Sequence, residues 1–147
     1  MRNRDTSRGS TLVEAAVSLL LLLTLVFGII EFGRLYNIYQ VMTDAAREGA
    51  RFAVAPCPFT SSIGSTCTAG QLPSTAAVQN YVQYFLNSAN VQGATITINP
   101  SYQPPTDPIN GVTLAYTQVT ISCPYTFHFF SYTPTITTDA VMRNETN

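Results

Sequence analysis

Apolar and polar positions along this chain follow two regimes. From Ala15 to Ile30 there is no charged side chain, and leucine, valine and isoleucine crowd the run. A helix from Ser10 to Ile30 rises about 31 Å, which matches a bilayer hydrocarbon core of roughly 30 Å. Beyond Ile30 the run gives way to a period. Phe32, Leu35, Tyr36, Tyr39, Met42, Ala46, Ala50 and Ala53 recur at steps of three and four, one face of an amphipathic helix. The other side carries Glu31 with Arg34, Asp44 with Arg47 and Glu48 with Arg51, each spaced i,i+3 so that the charges can pair. No proline occurs before Pro56. One helix is therefore expected from Thr11 to Val54, about 66 Å long. Its first half, 10–30, is membrane-spanning and its second half, 31–54, is amphipathic.

The remaining stretch, 55–147, reads as a small extracytoplasmic domain. Pro56–Pro73 is rich in Gly, Pro, Ser and Thr and predicts a loop. Ser74 or Thr75 then caps a second, short helix, whose stripe of Ala77, Val78, Tyr81, Val82, Phe85 and Leu86 ends near Asn87. Three strand candidates follow: Ala94–Asn99, Val112–Cys123 and Thr135–Arg143. The four prolines in Pro100–Gly111 predict a loop between the first two. Sequential strands with short connections favour a three-stranded antiparallel sheet covered by the helices on one face, an α+β architecture.

Charge distribution adds an orientation. The 147-residue chain has no lysine. Its head, 1–9, holds Arg2, Arg4 and Arg8 against Asp5, whereas from Ser10 onward seven acids outnumber four arginines. Positive flanks stay cytoplasmic, so the head is expected inside and the domain outside, with the chain a single-pass inner-membrane protein. A basic patch for nucleic acid is missing. Cys57, Cys67 and Cys123 would then lie in an oxidising compartment. Three single bridges are possible. Cys57–Cys67 is favoured because the Gly- and Ser-rich stretch between them turns easily; three buried thiols are the alternative.

Candidate chemistry is sparse. His128 is the only histidine and has no cysteine or carboxylate at ligand spacing, so no metal or other cofactor is expected. No nucleophile–base arrangement or phosphate loop suggests itself, and the chain reads as a non-enzyme. The aromatic segment Tyr125–Tyr132 reads as a core or edge strand, with a contact surface as the alternative.

The feature that asks for explanation is Glu14, a carboxylate at the edge of the apolar run, five residues after Gly9. A secretory signal peptide would need a small-residue cleavage site just past Ile30. The nearest A-x-A, Ala53-Val54-Ala55, comes more than twenty residues late. A plain anchor leaves Glu14 unexplained. A prepilin-type leader accounts for both residues: cleavage between Gly9 and Ser10 on the cytoplasmic side puts Glu14 at the fifth mature position. There its carboxylate can neutralise the amino terminus of a neighbouring subunit in lipid. Gly28 and Gly33 weaken a helix in water, yet in membranes small residues let helices approach closely.

Together these residues resemble the TadE family of pseudopilins from tight-adherence, or Flp-type, pilus systems. The resemblance is carried by Arg8-Gly9, Val13-Glu14, the leucine-rich run, Phe27–Arg34 and Ala45–Arg51, about a third of the chain, with an echo in Ala140–Arg143. It implies a pilin-like fold and processing by a prepilin peptidase after Gly9. The implied partners are other pilins or pseudopilins, the inner-membrane pilus machinery and membrane lipid. Two residues depart from related patterns: Leu20 stands where many relatives have proline, and Ser10 replaces the phenylalanine usual at the mature terminus of type IV pilins. The alternative reading is a membrane-anchored binding or adhesin module that keeps its head.

Overall fold

The computed structural model describes residues 5–56, 70–103, 115–128 and 132–144. Five elements follow in order: α1 (Asp5–Val54), α2 (Thr75–Ser88), β1 (Thr95–Tyr102), β2 (Tyr116–Pro124) and β3 (Thr135–Arg143). The fold is α+β, with a long first helix, a short second one and a three-stranded antiparallel sheet. The long helix ends at Val54 as expected but begins at Asp5 rather than Thr11. Polar residues alone do not stop a helix, and no proline stands upstream to break it.

The chain divides into two compact units, one through Tyr36 and one from Asn37. In the first, the helix surface is almost wholly uncovered. Leu12, Leu20 and Leu21 are each about two-thirds exposed or more. The Thr24 hydroxyl is satisfied locally, donating to the Leu20 carbonyl at 2.8 Å.

The second unit contains the core. Met42, Ala45, Ala46, Ala50 and Ala53 of α1 pack with Val78, Val82 and Leu86 of α2 and with Val119, Ile121 and Cys123 of β2. The seam on α1 is made of small side chains, so helix and sheet approach closely. At Gly49 a Cβ would overlap Val82 Cγ2 and lie 3.6 Å from Val119 Cγ1, so only glycine fits there without rearrangement. The helix stripe expected from the sequence is buried only from Met42 onward. Phe32, Tyr36 and Tyr39 are exposed.

Ser74 caps α2, its hydroxyl accepting from the Ala77 amide at 3.2 Å. Phe52 of α1 stacks on Tyr81 of α2 with ring centroids 4.6 Å apart. The Tyr81 hydroxyl donates to Glu48 Oε1 at 3.3 Å, so the Glu48 carboxylate ties the two helices together. Beyond α2, Asn90 takes a left-handed φ of 58°, which asparagine tolerates.

The sheet order is β1-β2-β3, with both pairs antiparallel. Val119, Ile121 and Cys123 of β2 face the core, while Gln118, Thr120 and Ser122 alternate onto the other face. Thr43 of α1 meets Thr138 of β3, their hydroxyl oxygens 3.3 Å apart, which satisfies a buried polar group. The expected Pro100–Gly111 loop starts too early: Pro100 lies inside β1. An edge strand tolerates a proline because its N–H need not join the ladder. A register shift between Asn99 and Tyr102 accommodates it, and Asn99 Oδ1 accepts from the Ser101 amide at 3.2 Å. The expected Cys57–Cys67 bridge lies outside the described residues. Cys123 is a buried thiol whose Sγ lies 3.5 Å from the Gln92 carbonyl oxygen, and burial raises its pKa.

Candidate functional site

Gly9, Ser10 and Glu14 all lie on α1 in the first unit. Ser10 and Glu14 are four residues apart, so they share one helix face, about 6 Å apart along the axis. Val13, Val17 and Ser18 complete that shallow, open face with Gly9 at its end. The neighbouring apolar side chains are uncovered, Leu12 at 72 % and Val13 at 65 % exposure. Glu14 is itself exposed, and no hydrogen bond or ion pair to it is present among the described residues. A carboxylate is thus set into an apolar surface that the chain leaves open.

The Gly9–Ser10 peptide bond sits inside the helix rather than ahead of it, because α1 already begins at Asp5. A protease that needs an extended strand must unwind this end before cutting. A Cβ at Gly9 would meet nothing within 4 Å. The same holds for Gly28 and Gly33. Among the described residues, nothing packs against these three glycines, in contrast to Gly49. That fourth glycine is the residue sequence reasoning missed. Its signal was present: small residues at 45, 46, 49, 50 and 53 trace one helix face at steps of one, three and four.

Elsewhere the chemistry stays sparse. Among the described residues, no cluster of three or more histidine, cysteine or acidic side chains is placed to hold a metal. His128 is exposed on a bend after β2. A small cleft in the second unit, between Ala53, Pro73, Val78, Ile98 and Pro100, is lined by apolar groups, Thr75, and the Thr117–Asn144 pair, whose oxygens are 2.8 Å apart. Among the described residues that line it, none has a titratable side chain.

The helix from Gly9 to Val54 contains a stretch long and apolar enough to cross a membrane once, and none of that stretch is buried against the rest of the chain. Residues 9–51 match the model of the TadE-like protein family, which is associated with Tad pilus assembly. The match lies wholly within α1 and begins at Gly9, leaving α2 and the sheet outside it. No curated protein and no solved structure matches the chain.

Proposed function

We propose that the chain is a pseudopilin, or minor pilin, that acts as a structural subunit in Tad-type pilus assembly. A prepilin peptidase cuts it between Gly9 and Ser10. The observation that carries this reading is Glu14: an exposed carboxylate on an uncovered apolar helix face, five residues past a glycine against which none of the described residues packs. The basic head supports a cytoplasmic amino terminus, with the α+β unit on the far side of the inner membrane.

Cleavage leaves Ser10 as the new amino terminus and Glu14 just beyond the first turn. A carboxylate near a helix amino terminus is favoured by the unpaired N–H groups there. More important is the partner it can take from outside. In a bundle of such helices, Glu14 of one subunit meets the free ammonium of the next, and each neutralises a charge that lipid would penalise. Gly28 and Gly33, which have open space around them, let neighbouring helices approach closely in the bilayer. The partners are accordingly the peptidase, other pilins or pseudopilins, and the inner-membrane assembly machinery. A Cys57–Cys67 bridge would tie the outer unit's first loop.

Two substitutions test the reading separately. Gly9→Leu should block removal of the head, seen as a retained leader by mass spectrometry of the membrane fraction. Glu14→Ala should leave processing intact and abolish piliation. Normal piliation by both variants would overturn the proposal, and would favour an unprocessed binding module.

A further inference from the structure

Phe32 and Tyr36 lie one helical turn apart on α1 and stack with ring centroids 6.5 Å apart and planes inclined by only 13°. Phe32 is 67 % exposed and Tyr36 51 %, so the pair forms a flat aromatic plate that the described residues leave uncovered. Packing against the chain's own core is therefore not its role.

The position of the plate identifies what does cover it. It begins two residues after Ile30, the end of the uncharged run, so Phe32 and Tyr36 lie about 3 and 9 Å past that end along the axis. Polar residues enter over the same stretch: Glu31, Arg34, Asn37 and Gln40. The two rings are ordered as an interface demands. Phenylalanine, with no polar atom, is nearer the apolar run, and tyrosine, with a hydroxyl that needs a partner, is further out. Amphipathic rings concentrate where hydrocarbon gives way to headgroups.

We propose that the Phe32–Tyr36 plate is seated in the glycerol and headgroup layer of the bilayer, at the end of the span opposite Gly9. It fixes the depth of the helix there, and so holds Glu14 at the opposite boundary. This rests on the reading of 10–30 as a membrane span.

The chain contains no tryptophan, so single replacements give unambiguous fluorescence. The full-length protein is placed in vesicles of phosphatidylethanolamine and phosphatidylglycerol doped with phosphatidylcholine brominated either near the glycerol or near the chain ends. Three variants are compared: Tyr36→Trp in the plate, Leu20→Trp inside the run, and Tyr84→Trp on the exposed side of α2. Phe32→Trp repeats the plate measurement independently. The plate variants should emit to the blue of Tyr84→Trp and be quenched more by the shallow bromine than by the deep one. Leu20→Trp should show the reverse preference, and Tyr84→Trp should be quenched by neither. If Leu20→Trp is quenched by deep bromine but the plate variants behave like Tyr84→Trp, the plate faces water or protein and the proposal is overturned. Stronger quenching of the plate by deep bromine overturns it as well. An unquenched Leu20→Trp would instead overturn the membrane reading on which the proposal rests.

Discussion

The first and second halves of α1 are built from different apolar residues and put them to opposite uses. Through Ile30 the helix carries leucine, valine, isoleucine and phenylalanine, and nearly all of these large side chains are exposed. From Met42 to Val54 its buried face is mostly alanine and glycine, yet those positions are almost fully enclosed. The most hydrophobic stretch is therefore not the core of the folded unit. In water an uncovered leucine run would be a liability, whereas lipid solvates it at no loss. The alanine seam works differently, by letting α2 and β2 come close enough for Val82 and Val119 to reach the helix backbone. Side-chain size marks the change along one helix, from large and exposed to small and enclosed.

The contrast can be broken most forcefully by cutting equal side chains from each half's surroundings. Leu86→Ala, in the enclosed core, should lower the unfolding free energy of the second unit by about 2–5 kcal/mol. Leu20→Ala should change it by less than about 0.5 kcal/mol. Denaturant titration in detergent, followed by far-ultraviolet circular dichroism, reads both. Equal losses would mean that the apolar run helps to stabilise the second unit.

The glycines sharpen the same comparison at a smaller scale. Gly49→Ala should destabilise the second unit by about 1–3 kcal/mol, because the new methyl group overlaps Val82. Gly28→Ala meets open space and should cause no loss, since alanine is the better helix former by roughly 1 kcal/mol. A neutral Gly49→Ala would show that the seam has room for a methyl group.

These glycines also show what the sequence made legible. The end of α1 at Val54, a cap at Ser74 or Thr75 and the strand Thr135–Arg143 are all readable, because Pro56, a capping hydroxyl and a β-rich segment act locally; the structure selects Ser74. The three-stranded antiparallel sheet followed from the short connections between its strands. The small-residue face around Gly49 marks a close helix contact, but that only glycine fits there depends on the approach of Val82, from a helix about thirty residues away. Pro100 misled for a related reason. Its place in β1 depends on which strand lies at the sheet edge, and that is a property of pairing. The stripe from Phe32 to Tyr39 has the right period but is not buried, because periodicity reports a face and not what covers it. At the candidate site the residues were legible. That the Gly9–Ser10 bond lies inside a helix was not.

The smallest expected effect concerns the join of α1 to α2. Tyr81→Phe removes the hydrogen bond to Glu48 and should lower stability by about 1 kcal/mol at neutral pH. It should also change the alkaline behaviour. Burial first, and then the Glu48 carboxylate, raise the Tyr81 pKa above its ordinary value of 10.0. The unfolded chain thus loses this proton before the folded one does. Its contribution is complete below pH 10.0 and falls as pH rises through the raised folded value. Burial of Cys123 adds a loss of the same sign, beginning from its ordinary 9.0. Thermal melts across alkaline pH should show the Tyr81→Phe protein keeping the Cys123 slope and lacking the later one. An unchanged profile would mean that Tyr81 does not contribute to the alkaline loss of stability.

The central claim is that the uncovered half of α1 is a processed membrane helix and the enclosed half is scaffold. Intact-mass and amino-terminal analysis of the protein recovered from membranes of a piliated strain tests it most directly. The expected chain begins at Ser10, in the membrane fraction, with the second unit intact. A membrane-embedded chain that still carries Met1–Gly9 while pili form normally would contradict it.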